Sequence, residues 1–174
     1  GERITHVMVP TKTGMKCIQP KIVIDATGDG DIAAQAGVPF EFGRPEDNLV
    51  QGMTMMYRYC GIDEERRNEV PEQELDRVYE RMCELSDEGQ LPSFNRFHDL
   101  PRVCNRDIPN MCAVGGNPLD EEELSNLTTE GRRNVFRFLR FLKENVPGFD
   151  EACVEQTGFS LGIRESRRIK GKKT

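Results

Sequence analysis

Ile22-Val23-Ile24-Asp25-Ala26-Thr27-Gly28-Asp29-Gly30-Asp31-Ile32-Ala33 runs from a β-branched segment through a glycine-rich turn into a helix-forming one. Gly28, Gly30 and Ala33 keep the G-x-G-x-x-G/A spacing by which backbone at a helix start holds a pyrophosphate. Three features weigh against that ligand. Asp29 lies within the turn and Asp31 at the helix start, where both charges oppose a pyrophosphate. The helical stretch Asp31–Ala36 stops at Gly37, with Pro39 just beyond. No strand ending in an acid follows about twenty residues later, as a dinucleotide fold requires. A calcium loop fits no better, because Asp25, Asp29 and Asp31 lack the alternate spacing and the closing Glu of an EF-hand. A structural turn whose aspartates cap the short helix is the remaining local alternative, and the residues leave it open.

Upstream, Arg3–Pro10, the turn Thr11–Gly14 and Met15–Ile24 read as strand, turn and strand, with Gly14 supplying a permissive backbone. Pro20 interrupts the second strand, and Ile22-Val23-Ile24 is a β-branched run of the buried type. Downstream, Met and Tyr recur from Gly52 to Tyr59 along an expected strand, followed by a polar stretch rich in Glu and Arg. Leu75, Val78, Tyr79, Met82 and Leu85 recur at helical spacing between Gln73 and Glu88. Residues 91–118 are proline-rich and predict loops with short strands. A second helix is marked by Val135, Phe138, Leu139, Leu142 and Val146, widened by Phe136 and Phe141, started by Ser125 or Thr128 and ended by Pro147-Gly148. Glu155–Ile169 reads as extended, with bends at Gly158 and Gly162. Hairpins, isolated strands and two long helices make an α+β or mixed fold, without βαβ alternation.

Hydrophobic residues at 36% suffice for a core, and charged residues at 31% give a well-solvated surface, as in a soluble globular protein. No apolar run of about 18 residues occurs, so no transmembrane helix and no membrane partner is expected. The first residues lack a signal-peptide pattern, and the expected location is cytoplasmic. A start at Gly1 without Met reads as a cut end. The net charge of −6 disfavours nucleic acid as a partner. The basic run Arg167–Lys173 is read as a solvated tail. Cys17, Cys60, Cys83, Cys104, Cys112 and Cys153 form no Cys-x-x-Cys pair, so mostly buried thiols are expected, with neither metal nor disulfide framework.

Val23-Ile24-Asp25-Ala26-Thr27-Gly28-Asp29-Gly30-Asp31, with Ala33, Ala34 and Ala36-Gly37, resembles the Ala-Thr-Gly segment of FAD-dependent oxidoreductases distantly related to fumarate reductase flavoproteins. Three further motifs follow in the family's order. They are Met53-Thr54-Met55-Met56-Tyr57, then Gly131-Arg132-Arg133 leading a helix that ends in Val146-Pro147-Gly148-Phe149, then Leu161-Gly162-Ile163-Arg164-Glu165-Ser166-Arg167-Arg168-Ile169. The similarity covers residues 3 to 169. It implies a partial FAD-binding domain over 1–50, a substrate cap over 51–160, and a segment over 161–174 that returns to the FAD-binding domain.

By that resemblance Ala26, Thr27, Gly28, Asp29 and Gly30 lie at the cofactor, where small residues let backbone approach closely. Arg164 is the candidate for an anionic substrate group or the flavin, since a guanidinium stays charged and binds in bidentate fashion. Ion pairing with nearby acids is the equal alternative for Arg164 and Arg167. His98 is a weaker candidate for substrate contact, and His6 reads as a surface residue. No general acid or base stands out. The resemblance further implies that the fingerprint strand precedes Gly1 and that the remaining flavin segments follow Thr174. The chain is then an internal fragment, with FAD held by the whole protein and only weakly by this chain. Surfaces exposed by truncation would favour self-association. The implied function is redox chemistry on a small-molecule substrate. Its alternatives are a non-catalytic interaction module without flavin, and a small-anion binder at the Gly28–Asp31 turn.

Overall fold

A computed structural model describes residues 3–96 and 110–171. The chain divides into two compact units, Gly1–Asn48 with Ser166–Thr174, and Leu49–Glu165.

The first unit opens with a hairpin of β1 (Val7–Thr11) and β2 (Gly14–Ile18), in register from Val7 opposite Ile18 to Thr11 opposite Gly14. Gly14 takes φ +110°, which side chains rarely adopt, and Pro10 is tolerated because a two-stranded ladder is all edge. The second strand is shorter than the sequence suggests. It ends at Ile18, before Pro20, and Ile22-Val23-Ile24 forms no strand. Instead of being buried, Ile22 is 80% and Ile24 is 84% exposed. A β-branched run becomes a strand only with a partner to hydrogen-bond, and no described strand pairs with it. After the glycine turn come helix α1 (Asp31–Gln35), closed by Gly37 as expected, and β3 (Phe40–Phe42).

The second unit contains every buried hydrophobic side chain among the described residues. The expected strand over Gly52–Tyr59 is two strands, β4 (Met53–Met55) and β5 (Tyr57–Cys60), each with a different partner. The Glu/Arg-rich stretch contains a short helix that periodicity missed, α2 (Glu64–Asn68), capped by Asp63 accepting from the Arg66 amide at 3.1 Å. Helix α3 (Glu72–Asp87) buries Leu75 and Met82, with Val78, Tyr79 and Leu85 packed against the core. It ends in a Schellman arrangement, with the Gln90 amide on the Leu85 carbonyl at 2.8 Å and the Gly89 amide on Ser86 at 3.1 Å. Gly89 takes the left-handed φ of +72° that this end requires.

Strand β6 (Cys112–Val114) pairs antiparallel with β4. Helix α4 (Glu121–Asn145) begins earlier than Ser125 or Thr128. Asp120 caps it, accepting from the Glu123 amide at 2.9 Å, while the Thr128 hydroxyl donates to the Leu124 carbonyl inside the helix. Gly131-Arg132-Arg133 therefore lies within the helix rather than at its start. Strand β7 (Cys153–Thr157) pairs antiparallel with β5. The chain then returns to the first unit, where β8 (Arg167–Ile169) pairs antiparallel with β3. Among the described residues all ladders are two-stranded and antiparallel, so the mixed α/β fold is built there from small sheets and helices. No helix among the described residues is long and apolar enough to cross a membrane.

Helix α4 packs on β4, β6 and β7 and buries Val135, Phe138, Leu139, Phe141 and Leu142, whereas Phe136 is 57% exposed. Glycine inside a helix costs about 1 kcal/mol relative to alanine. Gly131 is nevertheless needed, because a Cβ there would lie 3.0 Å from Met55 Cβ and 3.2 Å from Leu161 Cδ2. Gly131→Val is expected to destabilise the protein by about 1–3 kcal/mol through overpacking. A chemical denaturation midpoint unchanged by the substitution would contradict this packing.

Candidate functional site

Asp25 organises the glycine turn. One carboxylate oxygen accepts from the Thr27 amide at 3.0 Å and the Thr27 hydroxyl at 2.7 Å; the other accepts from the Ala33 amide at 2.8 Å. The Thr27 hydroxyl oxygen accepts from the Asp31 amide at 2.9 Å. Asp25 and Thr27 thus satisfy amides at the start of α1, a task the sequence assigned to the aspartates of the turn generally. Gly30, in the left-handed region at φ 62°, makes no side-chain cap. The Thr27 hydroxyl first, then the Ala33 and Thr27 amides, hold the Asp25 carboxyl below its ordinary value of 3.8.

Asp29 and Asp31 do not stand as bare charges. The Ser166 hydroxyl donates to the Asp29 carboxylate. Arg167 donates to the Asp29 carbonyl at 3.0 Å and to the Asp31 carboxylate at 2.6 Å, while its guanidinium lies 5.5 Å from the centre of the Phe40 ring. Beside it, Arg168 donates to the Gly43 carbonyl at 2.6 Å and Lys170 pairs with Glu41 at 3.0 Å. Of the residues read as a solvated basic tail, Arg167–Ile169 form β8, and the cations from Arg167 to Lys170 hold the turn and its neighbours. Ion pairing, one of two sequence readings for Arg167, is what this residue does. The carboxylates of Asp25, Asp29 and Asp31 each face separate donors, and no described cluster of acids, His or Cys is placed to hold a metal.

Within the turn, Ala26, Thr27 and Gly28 are exposed, and Asp29 and Gly30 are half-buried. The Gly28 and Asp29 amides donate no hydrogen bond among the described residues. A Cβ on Gly28 would meet nothing within 4 Å, whereas one on Gly30 would lie 2.9 Å from Ile169 Cδ1. Gly30 is therefore a packing glycine, and Gly28 opens on free space. The structure groups all five turn residues with Ser166 and Arg167, a pair carried in the sequence only by their place in the last motif. A cleft of about 930 Å³ elsewhere in the first unit is lined by Arg3, His6, Ile32, Gln35 and Lys170 among others. It omits Ala26–Gly30, so volume and the glycine turn do not coincide.

In the second unit Arg164 is exposed and makes no hydrogen bond or ion pair among the described residues. The neighbouring Glu165 carboxylate accepts from the Gln51 amide at 2.8 Å. Arg132 is committed to structure, donating to the Phe159 carbonyl at 2.7 Å. His6 meets the Thr5 hydroxyl at 3.1 Å, and His98 lies outside the described residues. The expectation of mostly buried thiols fails. Only Cys112 is buried; Cys60 and Cys83 are intermediate, Cys17 and Cys153 are exposed, and Cys104 lies outside the described residues. The exposed thiols sit on two-stranded ladders, which leave one face or an edge to solvent.

Because its folded-state value is depressed, Asp25 contributes stability above its ordinary pKa and loses it as pH falls through the lower folded value. Amide exchange at Thr27 and Ala33 is expected to accelerate as pH drops below about 4, after correction for intrinsic rates. Asp25→Asn should speed that exchange several-fold at neutral pH and remove its acid dependence. Equal protection in the variant would remove Asp25 from its organising role.

Comparison with curated proteins and with solved structures found no significant match. The family model described as FAD dependent oxidoreductase matches residues 1–174, and the chain accordingly belongs to that family.

Proposed function

We propose that this chain supplies a flavin-contacting turn, Ala26–Gly30, and a substrate cap, residues 51–160, to an FAD dependent oxidoreductase acting on a small molecule. The observation that carries the reading is the open face of Gly28, which follows the exposed small residues Ala26 and Thr27 on a preformed turn. A flat ring system needs close approach by backbone, and a side chain at this position would occupy that space. The turn also leaves backbone donors for the cofactor. Ser166 and Arg167 take up the Asp29 and Asp31 carboxylates, which leaves the Gly28 and Asp29 amides as donors to an acceptor atom. Bound FAD would exchange a hydride with a substrate carbon, and the protein would supply orientation and exclusion of water.

Each role falls to residues of this chain. Asp25 and Thr27 hold the turn in shape before any ligand arrives, so little ordering is left for the binding step. Arg164, exposed and without a described partner, would orient an anionic substrate group by bidentate hydrogen bonding. Neither the turn nor α1 grips the adenylate half. A five-residue helix flanked by committed aspartates lacks the long, amide-rich start that a pyrophosphate requires. Isolated, the chain is expected to bind FAD more weakly than micromolar. Capture at micromolar strength in a calorimetric titration would overturn that division of labour.

In the FAD-loaded protein, Gly28→Val is expected to weaken flavin retention roughly tenfold or more. Its melting temperature should change little, because a Cβ at this position meets no protein atom within 4 Å and the φ lies outside the left-handed region. Unaltered retention would remove the turn from the cofactor site. Arg164→Gln should raise KM for an anionic substrate by roughly 10–100-fold and leave flavin absorbance unchanged. An unaffected KM would assign Arg164 to the solvated surface.

A further inference from the structure

Strands β5 and β7 change register by one residue between Arg58 and Tyr59. Arg58 faces Gln156 and Tyr59 faces Val154, so Glu155 is left over as a bulge. Without that extra residue Cys60 would face Val154; with it, Cys60 faces Cys153. Directly opposed residues of an antiparallel ladder have Cα atoms about 4.5 or 5.5 Å apart, within the span of a disulfide. The two sulfurs are 3.1 Å apart, about 1 Å beyond a bonded pair. Both thiols are free, with Cys153 exposed and Cys60 half-buried. We propose that Cys60 and Cys153 form a reversible dithiol–disulfide site, oxidised by a small-molecule disulfide such as glutathione disulfide.

The order of events follows from exposure and charge. Cys153, the more open thiol, loses its proton and attacks one sulfur of glutathione disulfide, and one glutathione thiolate leaves. The hydrogen bond between the thiols, then burial, then the charges of Cys153 and Glu155 hold the Cys60 thiol above its ordinary pKa. Conversion of Cys153 into a mixed disulfide removes the first of these effects and eases ionisation of Cys60. The Cys60 thiolate then attacks the Cys153 sulfur and expels the second glutathione. Two protein S–H bonds and one glutathione S–S bond are replaced by one protein S–S bond and two glutathione thiols. Two electrons pass from the protein to glutathione disulfide, and the two protons end on the released thiols. The new bond joins positions 93 residues apart and ties β5 to β7 across α2, α3 and α4. Cys17, exposed and lacking an opposed thiol, has no such second step and retains any glutathione it takes up.

The test is incubation of the protein with glutathione disulfide, followed by digestion and mass analysis without reductant. A linked pair of peptides containing Cys60 and Cys153, lighter by two hydrogens and separated by dithiothreitol, is expected. The melting temperature should rise by roughly 5–15 °C in the oxidised form. Cys60→Ser should leave a lasting glutathione adduct on Cys153 and abolish the rise. The proposal is overturned if Cys60 and Cys153 both stay open to alkylation while Cys17 carries glutathione. A persistent mixed disulfide on Cys153 of the unsubstituted protein, or a melting shift that survives in both Cys60→Ser and Cys153→Ser, would overturn it equally.

Discussion

Two-stranded ladders are marginal in water, yet β4–β6 and β5–β7 are all the sheet that the second unit has among its described residues. What stabilises them is the apolar face of α4. Val135, Phe138, Leu139, Phe141 and Leu142 cover these short strands and join Met53, Met55, Met82, Met111 and Phe149 in one core. The Gly131 backbone lies close against Met55 at the β4 contact. The Tyr59 hydroxyl donates to the Val135 carbonyl at 2.8 Å in the interior, so the strand also holds the helix by a buried polar contact. The Leu161–Glu165 motif follows that framework, through the bridge of Thr54 with Gly162.

The first unit works by different physics. It buries no large hydrophobic side chain among the described residues, and its order comes from polar contacts to the turn. Asp25 and Thr27 define the conformation from within, while Ser166 and Arg167 meet Asp29 and Asp31 from β8 and its approach. The charge pattern that argued against a ligand is therefore altered by residues more than 130 positions away. A turn with its acids engaged and its Gly28 face open is a different surface from one with three free carboxylates.

Local signals in the sequence were read correctly where the physics is local. The spacing of Leu75, Val78, Tyr79, Met82 and Leu85 marks α3 to within a residue at each end. Thr11–Gly14 marks the hairpin because a tight turn depends on its own residues. Other features escaped because their causes lie elsewhere in the chain. Ile22-Val23-Ile24 has strand composition but no described partner. The 53–60 run divides at Met56 because β4 and β5 pair with different strands. The start of α4 escaped because its first turn is acidic and only Leu124 and Leu127 carry the apolar face ahead of Gly131, so the Asp120 cap marks its true beginning.

Family membership, the two long helices and the glycine turn were determined by sequence alone, since motif order and helical periodicity are properties of neighbours along the chain. Tertiary structure decided which of the five turn residues is open and which is packed. It also decided that Arg167 is bound to an acid while Arg164 is left without a described partner. The physical reason is the same throughout. Side-chain charge, burial and strand register depend on groups brought together by folding, and a single bulged residue, Glu155, determines whether two cysteines meet.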